Sequence, residues 1–138
     1  MAKRSKNRSG GFTLIELMIV ISVILILISV ALPAYNQSIL RARESVLRQN
    51  LFTLRSVISQ YTLDKQKAPQ SLDDLVSAGY LKQIPTDPMT GHNDTWTPDQ
   101  EQDTILSLDQ QPSDEPGIVD VHSGSQGVGS DGTAYNTW

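Results

Sequence analysis

The sequence GFTLIELM at residues 11–18 opens a long apolar run that contains a single charged residue, Glu16. The run extends from Phe12 to Leu32, which is 21 residues. At about 1.5 Å rise per residue, a helix of this length spans roughly 31 Å, close to the thickness of the hydrocarbon core of a bilayer. A carboxylate inside that layer costs on the order of 2.5 kcal/mol or more unless something neutralises it. The sequence therefore predicts a membrane span in which Glu16 has a functional partner.

A basic head precedes the span and indicates its orientation. Four cations stand before the small residues at 9–11, namely Lys3, Arg4, Lys6 and Arg8. By the positive-inside rule this head stays cytoplasmic and the carboxyl end crosses the membrane. In a secretory signal peptide the small residues of the cleavage site follow the hydrophobic region, whereas here they precede it. A cut after Gly11 would therefore keep the span and create an ammonium group on Phe12, four residues from Glu16.

The residues from Gly11 to Leu17 resemble the class III signal of type IV pilins and type II secretion pseudopilins. In that family a membrane-embedded prepilin peptidase cuts after the glycine and methylates the new amino-terminal phenylalanine. The resemblance makes Gly11 the last leader residue, Phe12 the methylated residue and Glu16 the acidic residue of the family. It also makes Pro33 the proline that breaks the membrane helix near its outer end. An ordinary signal anchor with a chance glutamate would explain the span, but not the rest of this pattern.

Length and composition limit which folds and partners are possible for the remainder of the chain. Its 138 residues leave room for one small domain beyond the span, and the absence of cysteine excludes a disulfide. All eleven Lys and Arg residues lie at or before Lys82, whereas the segment from Asp87 to Asp131 contributes ten acids. Removing the four cations of the head changes the formal net charge from −4 to −8. So acidic a body argues against nucleic acid as the main partner, because phosphate binding needs cationic groups.

Beyond the span, the apolar residues indicate that the same helix continues. Steps of four and three residues define one face of an amphipathic helix, made of Leu47, Leu51, Leu54, Ile58 and Tyr61. The polar residues that mostly occupy its other faces are Arg41, Arg43, Glu44, Arg48, Gln49, Arg55 and Gln60. Pro33 is expected to kink or locally open the helix rather than end it. We therefore predict one helix from about Phe12 to about Lys65, whose second half carries the head on its apolar face.

The residues after this helix predict a small head. Ser71 is expected to cap a short second helix, with Asp74 at its third position and Gly79 as a C-cap. Short strand candidates lie at about 95–97, 105–108 and 118–122, with polar stretches at 98–103 and 109–116 between them. They form a small antiparallel sheet at most, packed on the long helix, and Trp138 is expected to dock back as a terminal anchor. The predicted fold is α+β and type IV pilin-like.

These patterns divide the chain into four parts. We predict a cleaved leader at 1–11, a transmembrane or filament-core helix at 12–33, the amphipathic half of the helix at 34–67 and the head at 68–138. The predicted topology is a single pass through a bacterial inner membrane, with a cytoplasmic amino terminus and a periplasmic head.

The head resembles the major pseudopilin of type II secretion in its short capped helix, its IPTDP sequence at 84–88 and its acidic, glycine-rich tail that ends in Trp138. Many type IV pilins close the carboxyl-terminal loop with a disulfide, whereas in the major pseudopilin a calcium ion ties it. The resemblance makes calcium a candidate cofactor, with Asp120, Ser123, Ser125 and Asp131 as candidate ligands. Such oxygens suit an ion that takes six to eight of them. A solvated acidic loop is the alternative, because residues 120–125 depart from the pseudopilin pattern.

The sequence favours an assembly protein over an enzyme. His92 and His122 have no second histidine or cysteine at zinc spacing, and no pattern suggests a nucleophile with an oxyanion hole. By the resemblance, the mature chain forms a homo-oligomeric helical filament with the help of prepilin peptidase, an inner-membrane assembly platform and minor pseudopilins. We expect Glu16 to pair with the Phe12 ammonium of an adjacent subunit and so to set the axial register. A wrong register leaves both charges buried and unpaired, at a cost of several kcal/mol.

Three functions remain open at this point. A pseudopilin would form a short periplasmic filament that supports protein secretion across the outer membrane. A type IV pilin would form a long surface fibre for adhesion, twitching motility or DNA uptake. A plain membrane protein with one span would need no cleavage at all.

Overall fold

The computed structural model describes residues 10–100 and 116–138. In chain order, its elements are helix α1 (Leu14–Lys65), helix α2 (Leu72–Ser77), strand β1 (Thr97–Gln100), strand β2 (Ile118–His122) and a short 3-10 helix (Tyr135–Thr137). A long amino-terminal helix, a short second helix and a small antiparallel sheet are the elements of the predicted α+β, pilin-like fold. The strand predicted at 105–108 lies outside the described residues.

Helix α1 continues through Pro33, as predicted, and its first half is apolar. It begins at Leu14, two residues later than expected, and ends at Lys65. It is the one helix among the described residues that is long and apolar enough to cross a membrane. Contacts divide the chain into two compact units, Met1–Ser38 and Ile39–Trp138, so the apolar half of the helix belongs to the first unit and the head to the second.

The core of the second unit forms along one face of α1. The buried side chains of that face are Leu47, Leu51, Leu54 and Ile58, and Tyr61 packs against them at the edge. The rest of the core comes from Leu75, Trp96, Ile118, Val121 and Tyr135. Burial of each large apolar side chain contributes about 1.5–3 kcal/mol relative to exposure, so this cluster holds the head on the helix. The predicted apolar face is confirmed.

Glu44 does not lie where the sequence analysis placed it. It was predicted on a polar face of the helix, but the side chain is buried, with 5% of its surface exposed. It stands three residues before Leu47 and seven before Leu51, so it extends the core face by one turn towards the amino terminus. A carboxylate at a core position requires hydrogen-bond donors around it.

Helix α2 is capped locally, as its sequence predicts. The Ser71 hydroxyl accepts from the Asp74 N–H at 3.3 Å, and the Asp74 carboxylate accepts from the Ser71 N–H at 3.0 Å. The predicted C-cap is one residue too late, because Ala78 is the cap. Gly79 follows it with a φ of 82°, the left-handed conformation that commonly follows a helix end.

Strands β1 and β2 form a two-stranded antiparallel sheet in which Asp99 pairs with Asp120 and Thr97 with His122. The limits of β2 agree with the prediction. The prediction for β1 is wrong, because the strand begins at Thr97 and runs into 98–100, which was predicted as loop. The side chains of β1 are exposed along its length, so backbone pairing with β2 fixes it rather than an apolar pattern.

Candidate functional site

The predicted processing residues lie in exposed, non-helical chain just before α1. Gly11 has no atom within 4 Å of the position where a Cβ would stand, and Phe12 is 80% exposed. Backbone of this kind is accessible to a peptidase, because no helical hydrogen bond must be broken before it enters an active site.

Thr13 caps the amino end of α1 and brings Glu16 into the first turn. The Glu16 N–H donates to the Thr13 hydroxyl at 3.2 Å, and the Leu17 N–H donates to the Thr13 carbonyl at the same distance. An acid in the first turn also complements the helix dipole. Thr13 was not among the predicted site residues, although threonine followed by glutamate three residues later is a known start signal for a helix.

The Glu16 carboxylate has no hydrogen-bond or charged partner within residues 10–100 and 116–138. The predicted partner, an ammonium on Phe12 of another subunit, does not exist until the leader is cut. The structure of a single chain therefore leaves this acid available for an intermolecular pair.

Within residues 10–100 and 116–138, nothing covers the apolar half of α1. Its large side chains are exposed on every face of the helix, among them Leu14, Ile15, Met18, Ile19, Leu25, Ile26 and Leu27. An apolar surface of this size must be covered by lipid or by other helices. Pro33 lies just after this stretch and inside the helix.

The two acids among the candidate calcium ligands each face an arginine. Asp120 accepts from Nε of Arg55 at 2.5 Å. Asp131 lies 3.4 Å from Nη2 of Arg48 and also accepts from the Thr133 hydroxyl at 2.6 Å. Burial works to raise the pKa of Asp120, but the hydrogen bonds from Arg55 and the Val121 N–H outweigh it and leave that pKa lowered. The hydroxyl and N–H of Thr133 lower the pKa of Asp131.

The two candidate serines are engaged with other groups. The Ser123 side chain is fully buried, and its hydroxyl donates to the Asp87 carboxylate at 2.5 Å. The same hydroxyl accepts from the Ser125 N–H at 3.1 Å, and the Ser125 hydroxyl accepts from the Gly127 N–H at 3.2 Å.

The four candidates do not fit a single calcium site in this arrangement. Ser123 and Ser125 share a hydrogen bond, whereas Asp120 and Asp131 each face a guanidinium, which repels a divalent cation. In the part of the chain that the structure describes, no group of three or more His, Cys, Asp or Glu side chains is placed to hold a metal ion. Calcium binding stays a prediction that rests on the resemblance.

Glu44 connects α1 to the carboxyl-terminal loop, residues 123–138. Its Oε1 accepts from the Ser130 N–H at 2.6 Å and from the Tyr135 hydroxyl at 3.0 Å, and its Oε2 accepts from the Ser130 hydroxyl at 2.5 Å. The Ser130 hydroxyl is the main cause of a lowered pKa at Glu44, and the other two donors add to it against the opposing effect of burial. Burial and the adjacent carboxylate raise the pKa of Tyr135. This network was not predicted from the sequence, although an apolar face extended by one turn of the helix would include Glu44.

Arg55 makes a second connection between α1 and the end of the chain. Besides Asp120, its guanidinium donates to the carbonyls of Val121 at 3.1 Å and Trp138 at 2.7 Å. The Trp138 ring stacks edge-on against Tyr135, with 5.0 Å between ring centroids, and lies 4.3 Å from the guanidinium carbon of Arg48. Trp138 thus docks on the head, as predicted.

Among the relatives described here, the aligned share of this chain ranges from 44% to 96%. Residues 6–32 match the prokaryotic N-terminal methylation motif. The chain is 32% identical to competence protein ComGC of Halalkalibacterium halodurans over 80 residues, which cover 58% of this chain and 78% of the relative. It is 29% identical to type II secretion system core protein G of Klebsiella pneumoniae over 149 aligned residues, or 96% of each chain. Identity to type IV major pilin protein PilE1 of Neisseria gonorrhoeae is 44% over 61 residues, 44% of this chain and 37% of the relative. No solved structure matches the chain.

Proposed function

Because the chain belongs to the type IV pilin-like family, we propose that it is a structural subunit of a type II secretion pseudopilus. The chain is a pilin-like filament subunit, and this is a structural role rather than a catalytic one. One feature, the coverage of the alignments, supports a role in secretion over a role in a pilus. The alignment with a secretion core protein covers 96% of both chains, whereas the alignment with a major pilin covers 44% of this chain and 37% of the pilin.

The proposed life cycle begins with the precursor in the inner membrane. The leader at 1–11 lies in the cytoplasm, the span at 12–33 in the bilayer and the head at 68–138 in the periplasm. Prepilin peptidase cuts after Gly11 and methylates the new amino terminus on Phe12. An inner-membrane assembly platform then moves subunits into a helical filament together with minor pseudopilins, and this filament supports protein secretion across the outer membrane.

The observation that carries filament assembly is the Glu16 carboxylate, which has no partner in the part of the chain that the structure describes and lies at the start of an exposed apolar helix. In the filament the spans cover one another, and most of the stabilisation comes from apolar packing. Packing alone tolerates sliding of one helix along another. A pair between Glu16 and the Phe12 ammonium of a neighbour removes that freedom, because any other register buries two unpaired charges. Pro33 supplies local flexibility where the helix leaves the lipid.

A deletion strain distinguishes a secretion pseudopilus from a type IV pilus. We expect loss of the chain to abolish secretion of folded proteins into the medium, and a plasmid copy to restore it. Surface fibres counted by electron microscopy in the same strains provide the comparison. Normal secretion together with loss of surface fibres would overturn the proposal that the chain is a pseudopilus subunit.

A type IV pilus subunit is the second candidate. It is favoured by the higher identity to a major pilin, 44% over 61 aligned residues. In that case the filament would be a surface fibre for adhesion, motility or DNA uptake, and the deletion strain would lose those properties instead.

A further inference from the structure

We propose that the carboxyl-terminal loop of this chain is closed by the Glu44 carboxylate, through Ser130 and Tyr135, in place of a divalent cation. These three residues are called the Glu44 clamp below. The inference concerns the head alone and does not depend on which kind of filament the chain forms.

The loop folds into a tight hairpin that presents Ser130 at its tip. Val128 and Ala134 form a bridge between its two sides. The Gly129 N–H donates to the Thr133 carbonyl at 2.7 Å, and the Gly132 N–H donates to the Gly129 carbonyl at 3.0 Å. These backbone bonds hold the two sides of the hairpin together, and Ser130 directs both its N–H and its hydroxyl to the helix.

The centre of this closure is an anion. A carboxylate has about four lone-pair positions, and three of those of Glu44 accept hydrogen bonds from the loop. Hydrogen bonds to a charged group are shorter and stronger than neutral ones, which agrees with the two distances to Ser130 of 2.6 Å and 2.5 Å. The clamp joins residues that are 86 and 91 positions apart in the sequence, so it fixes the loop to the long helix.

A bound cation would need acceptor oxygens from the loop, rather than hydrogen-bond donors. Calcium closes a loop by collecting carboxylate and carbonyl oxygens, which are acceptors. This loop offers donors to Glu44, and its own acid, Asp131, faces Arg48 one turn further along α1. The ion pair between Arg48 and Asp131 is exposed and contributes little stability by itself. It nevertheless attracts the loop to the same face of the helix. Two residues on successive turns of the helix thus bind two successive loop residues. The Glu44 carboxylate accepts from the donors of Ser130, and the Arg48 guanidinium attracts the Asp131 carboxylate.

The test compares the mature full-length chain in detergent with its Glu44→Gln variant. The matched control is Asp73→Asn, which removes one exposed carboxylate from the head. Each protein is melted and digested with a low level of protease, in millimolar calcium and in chelator. We expect Glu44→Gln to lower the melting temperature by several degrees and to speed cleavage of the carboxyl-terminal loop about tenfold, because its donors lose a charged acceptor. Wild type and Asp73→Asn are expected to behave alike in calcium and in chelator.

Two milder variants keep the test decisive if Glu44→Gln does not fold. Tyr135→Phe and Ser130→Ala each delete one donor and leave the carboxylate in place, and we expect each to speed loop cleavage by about threefold. A wild-type protein whose loop opens in chelator and closes again with calcium would overturn the proposal. Loop cleavage in all three clamp variants at the rate of Asp73→Asn would overturn it as well. Neither result bears on the secretion phenotype of the deletion strain, so the two proposals fail independently.

Discussion

At the scale of single residues, two glutamates on one helix have opposite surroundings. Glu16 lies in an exposed apolar stretch, and its carboxylate has no partner among the described residues. Glu44 is buried and accepts three hydrogen bonds from the carboxyl-terminal loop. The first carboxylate is available to another subunit, whereas the second stabilises its own head. Substitutions at the two positions are therefore expected to have separable effects.

The first prediction concerns Glu16→Ala. We expect this variant to insert into the membrane normally, because removing a charge from the span favours insertion. Filament assembly is expected to be blocked, since the ammonium of Phe12 then has no partner. Membrane fractionation measures insertion, and electron microscopy of filaments isolated after cell lysis measures assembly. Ile19→Ala, a change in the same span that keeps the charge, serves as the control and is expected to assemble. Normal filaments from Glu16→Ala would refute the pair.

The second prediction concerns Gly11→Ala. We expect an uncut precursor that keeps residues 1–11, visible by gel mobility and by amino-terminal mass. No atom lies within 4 Å of the position of a Cβ at Gly11, so the substitution disturbs no contact in the chain. The same holds for Gly10, and Gly10→Ala is expected to be cut normally. A mature product from Gly11→Ala would show that the peptidase does not require glycine at this position.

The third prediction is a pH dependence of stability that comes from Glu44. Its pKa is lowered in the folded head, chiefly by the Ser130 hydroxyl, so its contribution is present above the unfolded pKa of about 4.3 and is lost as pH falls through the folded value. Asp120 and Asp131 have lowered pKa values and act in the same direction. We therefore expect the melting temperature of wild type to fall more steeply below about pH 4.5 than that of Glu44→Gln. Parallel curves would show that Glu44 contributes nothing to this slope.

At the scale of elements, the sequence predicted what local rules determine. The apolar period of α1, the capping box of α2 and the short apolar run of β2 are encoded within a few residues, and the structure contains all three elements. It did not predict β1, whose exposed side chains carry no pattern and whose position depends on its partner strand. Nor did it predict the burial of Glu44, because a charge at a core position resembles a surface residue until its partners are known. Those partners are 86 and 91 residues away.

The fourth prediction tests the apolar face of α1. Leu54 is fully buried, whereas Phe52, two residues earlier on the same helix, is 69% exposed. We expect Leu54→Ala to reduce the free energy of unfolding by about 2–5 kcal/mol and Phe52→Ala to change it by about 0.5 kcal/mol or less. Thermal melts of the mature chain in detergent measure both. Equal effects of the two substitutions would show that the face was assigned incorrectly.

At the scale of the whole molecule, the chain combines one unit whose apolar surface must be buried by lipid or other helices with a second unit that has its own core. The apolar helix of Met1–Ser38 exposes its side chains, and the described residues of Ile39–Trp138 include nine buried apolar ones that form a core. This division suits a subunit that is held first by lipid and then by other copies, while its head stays folded throughout. The clamp at Glu44 belongs to the second unit, so we expect the head to stay closed during the transfer.

The central claim is that cutting after Gly11 creates the cation that pairs with Glu16. It is tested most directly by the mass of the amino terminus of the native chain, isolated from cells that assemble the filament. The account predicts a chain that begins at Phe12 with a methylated amine. A native chain in the filament that still carries residues 1–11 would contradict it.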